Sequence, residues 1–310
     1  MSAEIDLALL ASSNSTERQR VEVDIWNQLS TAGYIRATLD ATHAVYLENT
    51  IDLWKSLSSP SQPTSGVNDQ DVVLQSWSAT REASRIVERK QQKFTHNLPD
   101  NQIGVAEAYV ELLGREMEFL CDRILSVVAE RVGAPSKQYA AIMQDGQINL
   151  CFHGHNTSNR PLPAVTELHH GILKAYLTTG HSRFQFLKRD EEVFLTETPK
   201  FHEAIIIVGE TLQLITGDGA LAALYKVTPC TTMDPKHGLI SIEFRGNHST
   251  RLPVDKPFGQ SKLLSFDPGY AFMSAAQFAK RRSETMNTTN GGGSSAPKAT
   301  VKRALGKFDK

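Results

Sequence analysis

Three titratable side chains stand together in TELHHGILKAYLTTG, residues 166–180: Glu167, His169 and His170, directly ahead of an apolar, β-rich run. On a β-strand, residues i and i+2 point to the same side, so Glu167 and His169 can present a carboxylate and an imidazole to one point. Such a pair suits either ligation of a divalent metal or general acid–base catalysis. His170, one position on, faces the other way. His153 and His155 in FHGHN share the same spacing, but no clear third ligand accompanies them, which fits polar surface or pocket lining better than a metal site. The three cysteines, Cys121, Cys151 and Cys230, are scattered without Cys-x-x-Cys spacing, so neither a disulfide framework nor a zinc–cysteine site is expected. The glycines of GETLQLITGDG shape turns, and no Gly-Lys-Ser/Thr follows to make a phosphate loop.

The elements that must position these residues fall into two textures. Up to Gly133 the chain is mainly helical. STERQRVEVDIWNQLSTAG puts Val21, Ile25 and Leu29 on one helical face, with Ser15 or Thr16 as its cap and Gly33 as its end. YIRATLD then alternates like a strand, HAVYLENTIDLWKSL reads as a second helix, and residues 59–100 read as loops with a short strand around Val72–Trp77. The longest helical stripe, Tyr109, Leu113, Met117, Leu120, Ile124 and Val128, predicts a helix over about residues 104–132. Beyond it, seven short apolar runs separated by turn residues predict a sandwich or jelly roll: QINLCFHGH, ELHHGILKAYLTT, RFQFLKR, EVFLTE, EAIIIVGETLQLIT, ALAALYKV and GLISIEFRG. The last segment, NTTNGGGSSAPKATVKRALGKFDK, is of low complexity, and residues 280–310 carry eight Lys/Arg against Glu284 and Asp309.

Composition excludes some classes. A net charge of -1 over 310 residues gives the body no bulk attraction to nucleic acid or to an anionic membrane. No stretch reaches the ~18 apolar residues of a membrane span, and the acidic opening MSAEIDLALL matches a signal peptide poorly. A cytoplasmic protein is expected, with the basic tail as the one segment suited to an acidic partner.

Two helices around a strand, a long helix and then a jelly roll resemble the isopenicillin N synthase-like branch of the iron/2-oxoglutarate oxygenases. IWNQLSTAGYIRATLD looks like that family's opening helix and strand. RFQFLKRDEEVFLTETPKFHEAIIIVGETLQLITGDGALAALYKV resembles its approach to the distal metal-binding histidine. The resemblance spans about residues 18–275. It implies an α+β fold with a double-stranded β-helix core, N-terminal helices and one long supporting helix. The corresponding division is an extension at 1–17, a domain at 18–282 (18–133 mainly helical, 134–282 mainly β) and a basic disordered tail at 283–310.

The same resemblance places the family's Fe(II) ligands, a His-x-Asp pair and a distant His, on Glu167, His169 and Tyr225. All three differ from the family pattern. The arginine that grips 2-oxoglutarate in the family's Arg-x-Ser motif falls on Leu239, with Ser241 retained, and leucine cannot offset the desolvation of a carboxylate. Arg245 is the nearest substitute cation along that strand, and the family's pocket tyrosine falls on Phe152 or His153. Conventional iron/2-oxoglutarate catalysis is therefore not expected. The expectation is instead a pseudoenzyme or a non-oxidative acid–base enzyme that uses no cofactor. Its barrel pocket would hold a small molecule, with Glu167, His169 and Tyr225 as a catalytic cluster and Phe152, His153, Phe184, Leu239 and Ser241 as pocket lining. Two alternatives stand beside it: a permuted Fe(II) site on Glu167, His169 and Tyr225, and an interaction scaffold docking through its basic tail.

Overall fold

The fold is described from a computed structural model, over residues 4–39, 42, 44–50, 73–82, 85–92, 100–134, 142, 147–153, 166–178, 182–188, 191–200, 203–228, 239–246, 252 and 261–290. Side chains are described over a subset of these: those of 73–82, 85–92, 100–111, 147–153, 228, 245, 265, 266 and 286–290 are not.

Helix α1 (Ser15–Thr31) buries Val21, Ile25 and Leu29, the spacing that defines its apolar face. Its cap is Asn14, one residue before the expected Ser15, whose Oδ1 accepts from the Thr16 and Glu17 amides. Gly33 ends the helix at φ +77, where a Cβ would also meet the Leu221 carbonyl at 2.2 Å, so glycine is required there on both counts. The long helix α2 spans Asp100–Arg131, and residues 44–50 are helical as expected.

Among the described residues, twelve strands form two sheets. In the eight-stranded sheet the order is β1 (Glu4–Asp6), β2 (Tyr34–Thr38), β10 (Glu203–Val208), β7 (Leu173–Thr178), β12 (Leu239–Arg245), β5 (Gln147–His153), β3 (Val73–Glu82) and β4 (Arg85–Gln92). The smaller sheet runs β6 (Thr166–Leu168), β11 (Leu224–Thr228), β8 (Arg183–Lys188), β9 (Val193–Glu197). Period-2 alternation makes the large sheet two-faced. Ile35, Ala175, Leu177, Ile206, Ile240, Ile242 and Phe244 join the core beneath α1 and α2. Tyr34, Tyr176, Ile205, Ile207 and Leu239 point the other way and pack against Phe184, Phe186 and Tyr225 of the small sheet. Over the described residues the arrangement is three layers, helices on sheet on sheet, and the two sheets face each other without closing into a barrel.

Three readings of the sequence need correction. Residues 73–82 and 85–92, expected to be mostly loop, form the antiparallel pair β3 and β4, which extends the large sheet beyond β5. EAIIIVGETLQLIT is not one strand: β10 stops at Val208 and Glu210–Ile215 is a helix, α3. A continuous apolar run fits a buried strand or a buried helix equally well, and all six residues of α3 are buried. ELHHGILKAYLTT is likewise two strands, β6 and β7, in different sheets. After the short helix α4 (Lys262–Phe266), helix α5 runs Ala275–Asn290 and so takes in residues 283–290 of the expected disordered tail. Residues 291–310 lie outside the described residues.

Candidate functional site

The turn from β6 to β7 carries the chain from one sheet to the other, and the candidate residues stand around it. Glu167 on β6 lies directly opposite Tyr225 on β11. Their side chains meet: the Tyr225 hydroxyl donates to Glu167 Oε2 at 3.0 Å. Tyr176 of β7 adds a second phenol, 3.2 Å from the Tyr225 hydroxyl and donating to the same carboxylate oxygen at 3.4 Å. Lys174 shares the inter-sheet face of β7 with Tyr176. Its Nζ is 3.6 Å from Glu167 Oε2 and 3.3 Å from Oε1 of Glu243, the residue facing it across the ladder on β12. The same ammonium lies 4.9 Å from the centre of the Tyr176 ring. Two sheets are thus joined by a carboxylate–phenol–ammonium network.

Electrostatics hold the proton on Lys174 and on both phenols. Burial alone would lower the Lys174 pKa, but Tyr176, Glu243 and Glu167 outweigh it and hold the ammonium well above its ordinary range. Burial pushes the Tyr176 phenol up to about 12 against the opposing pull of Lys174. The buried Tyr225 phenol is likewise raised well above its ordinary value, with Tyr176 and Glu167 adding to the effect of burial. Both phenols are hydrogen-bond donors at neutral pH.

His169 does not join Glu167 and Tyr225 in that network. Strand β6 ends at Leu168, so the i, i+2 rule no longer applies to it. Its ring turns back into the β6–β7 connection, with Nε2 3.0 Å from the Leu173 carbonyl. A carbonyl only accepts, so Nε2 carries the hydrogen. Gly171 and Gly209 make room for the ring, since a Cβ at either would come within 2.7 Å of it. His170 points away, its Nδ1 2.7 Å from Glu210 Oε2 at the start of α3. Arg282 of α5 reaches the same carboxylate with two hydrogen bonds, Nε to Oε2 at 2.9 Å and Nη2 to Oε1. Both partners of that pair have side chains 2% exposed. Burial alone would raise the Glu210 pKa, but the bonds to His170 and Arg282 outweigh it and hold the carboxyl below its ordinary value.

The anchored α5 forms one wall of a cleft of about 590 Å³. Glu167, His169, Lys174, Tyr225 and Glu243 line one side, and Gln277, Lys280, Ser283 and Glu284 of α5 the other. The cleft therefore lies between the sheets' edge and a helix, not within a barrel. Of the expected lining residues, Phe184 and Leu239 are packed into the inter-sheet core, and Ser241 is buried opposite Tyr176. Phe152 and His153 pair through their backbones with Ile240 and Leu239, but their side chains, and that of Arg245, lie outside the described residues. Sequence reasoning missed Lys174, Tyr176, Glu243, Glu210 and Arg282. A lysine alternating with a tyrosine inside apolar LKAYLT was the one available signal. Among the described residues, no group of three His, Cys, Asp or Glu is placed to hold a metal ion, and no helix is long and apolar enough to cross a membrane.

Comparison with known proteins supplies the class. No protein-family model matches this sequence, and no curated protein matches it. Solved structures do share its fold. A Neurospora crassa protein in complex with alpha-KG and 5-formyluracil superposes at TM-score 0.66 with 13% identity, over 90% of this chain and 94% of that one. A 2OG-Fe(II) oxygenase family protein from Caulobacter crescentus gives 0.62 at 13% identity, over 92% and 98%. The rice dioxygenase for auxin oxidation gives 0.57 at 13%, over 90% and 99%. The chain has the fold of the iron/2-oxoglutarate oxygenases. At these identities the likeness is one of fold.

Proposed function

We propose that this chain is an oxygenase-fold protein that works without Fe(II)/2-oxoglutarate chemistry and holds a small molecule in the cleft beside Glu167, Lys174 and Tyr225. The observation that carries this reading is the Lys174 ammonium, ion-paired to Glu167, where the family resemblance puts a metal ligand. A fixed positive charge there repels a divalent cation. The other ligand positions fit iron no better. His169 Nε2 holds a hydrogen for a carbonyl, and the Tyr225 phenol stays protonated and donates to Glu167. Leu239, 2% exposed in the inter-sheet core, offers no charge to the far carboxylate of 2-oxoglutarate.

Within this reading, binding is favoured over acid–base catalysis. A general acid or base works best with a pKa near the operating pH, and the Tyr176, Tyr225 and Lys174 values are all displaced upward, away from neutrality. The contact of Tyr225 with Glu167 favours one second reading, a permuted Fe(II) site that would also recruit His169. Docking of an acidic partner by the basic C-terminal segment is a separate proposal, tested by deleting residues 291–310 and comparing captured partners. The principal test is elemental analysis of protein purified without chelator, followed by succinate formation from 2-oxoglutarate with added Fe(II). Far less than one iron per chain and no succinate are expected. Stoichiometric iron that disappears in His169→Ala or Tyr225→Phe would establish the permuted site.

A further inference from the structure

We propose that Lys174 is the built-in occupant of a cation subsite formed by Glu167, Glu243 and Tyr225, so that a divalent cation enters only when this ammonium is taken away. The inference rests on the reading above that no iron resides here. Three elements converge on the ammonium. β7 supplies Lys174, the adjacent β12 supplies Glu243 at 3.3 Å, and β6 of the other sheet supplies Glu167 at 3.6 Å. Tyr225 brings a third oxygen, bonded at 3.0 Å to the same Glu167 atom that faces Lys174. Carboxylate and phenol oxygens form a hard donor set of the kind that suits Mn(II) or Mg(II).

Like charges disfavour one another's ionised form, so Glu243, whose side chain is 17% exposed, and Glu167, at 41%, both close to one point, favour a cation between them. The chain provides it from within, on a side chain 10% exposed. A tethered group competes at an effective concentration on the order of millimolar, so free metal in ordinary amounts does not displace it. The charges across the cleft on α5, Lys280 and Glu284, are of opposite sign and leave the balance to the residues around Lys174.

The experiment titrates Mn(II) alone into the full chain, read by thermal shift and by the paramagnetic signal of bound ion. Three proteins are compared: the natural chain, Lys174→Met, and Lys174→Met combined with Glu243→Gln. The natural chain should show no shift at Mn(II) concentrations well below millimolar. Lys174→Met should melt lower without metal and rise by roughly 5 °C at a hundred times its Kd. The double variant should lose most of that rise. A folded Lys174→Met that binds no Mn(II) overturns the inference and leaves the proposed function standing. Stoichiometric Mn(II) in the natural chain overturns the proposed function itself. Should Lys174→Met not fold without metal, Lys174→Gln, which keeps a hydrogen-bonding head, takes its place: Mn(II)-dependent stabilisation supports the inference and its absence overturns it.

Discussion

Breaking the Glu210–Arg282 pair should destabilise the protein more than any other single change at the cleft. Both side chains are 2% exposed and the contact has two hydrogen bonds, so neither charge has water to fall back on. Glu210→Gln leaves a buried guanidinium without its counter-ion. Removing one partner of a buried pair costs about 3–5 kcal/mol, because the survivor is an uncompensated charge. Arg282→Met should cost somewhat less, since the remaining Glu210 keeps His170 at 2.7 Å. Replacing both, as Glu210→Leu with Arg282→Met, removes both charges and should cost less than the sum of the single changes, with a coupling of about 0.5–3 kcal/mol. Urea denaturation is the assay, with the midpoint moving and the slope unchanged. The corresponding fall in Tm for Glu210→Gln is roughly 5–8 °C. Single variants within about 1 kcal/mol of the natural chain, in the range of exposed pairs, would refute the claim that this pair anchors α5 as the cleft wall.

Alkaline pH should unfold the protein early. Lys174, Tyr34, Tyr176 and Tyr225 all have folded pKa values raised above ordinary values of 10.0 or 10.5, so their contribution is complete below about pH 10 and is lost as pH rises beyond it. Phenolate absorbance of these tyrosines should emerge only with the unfolding transition, and a Tm unchanged to pH 11 would contradict their burial. Glu210, held low, acts in the opposite sense: its contribution is present above its ordinary value of 4.5 and lost as pH falls below it. Gly209→Ala should cost several kcal/mol, because its Cβ would stand 2.0 Å from the Gly171 carbonyl oxygen and 2.7 Å from the His169 ring; urea denaturation checks it. Tyr225→Phe should cost about 1.5–3 kcal/mol through loss of a hydrogen bond to a charged acceptor, again read from the urea midpoint.

What was legible in the sequence follows what is local. Val21, Ile25 and Leu29 announce α1 because helical spacing is a property of neighbours along the chain. Glu167 and Tyr225 were legible as a pair through the resemblance, which carried long-range information that spacing alone lacks. Their contact is set by the β6–β11 register. Lys174 and Glu243 are 69 positions apart and meet only through the β7–β12 register, so neither marks the other in sequence. Arg282 sits in AKRRSE and reads as an ordinary polar helix face, yet it is buried against Glu210 once α5 docks. His169 lines the same cleft but turns its ring to the Leu173 carbonyl, because β6 ends at Leu168. The strand's two-residue period stops where the chain turns toward the other sheet.

The central claim, that this oxygenase fold no longer supports iron/2-oxoglutarate chemistry, is tested most directly by titration calorimetry of 2-oxoglutarate into the protein with and without saturating Mn(II) as the redox-silent substitute for Fe(II). With Leu239 in the core and the Lys174 ammonium on Glu167, no heat of binding is predicted in either condition. Micromolar 2-oxoglutarate binding that appears with Mn(II) would contradict the account.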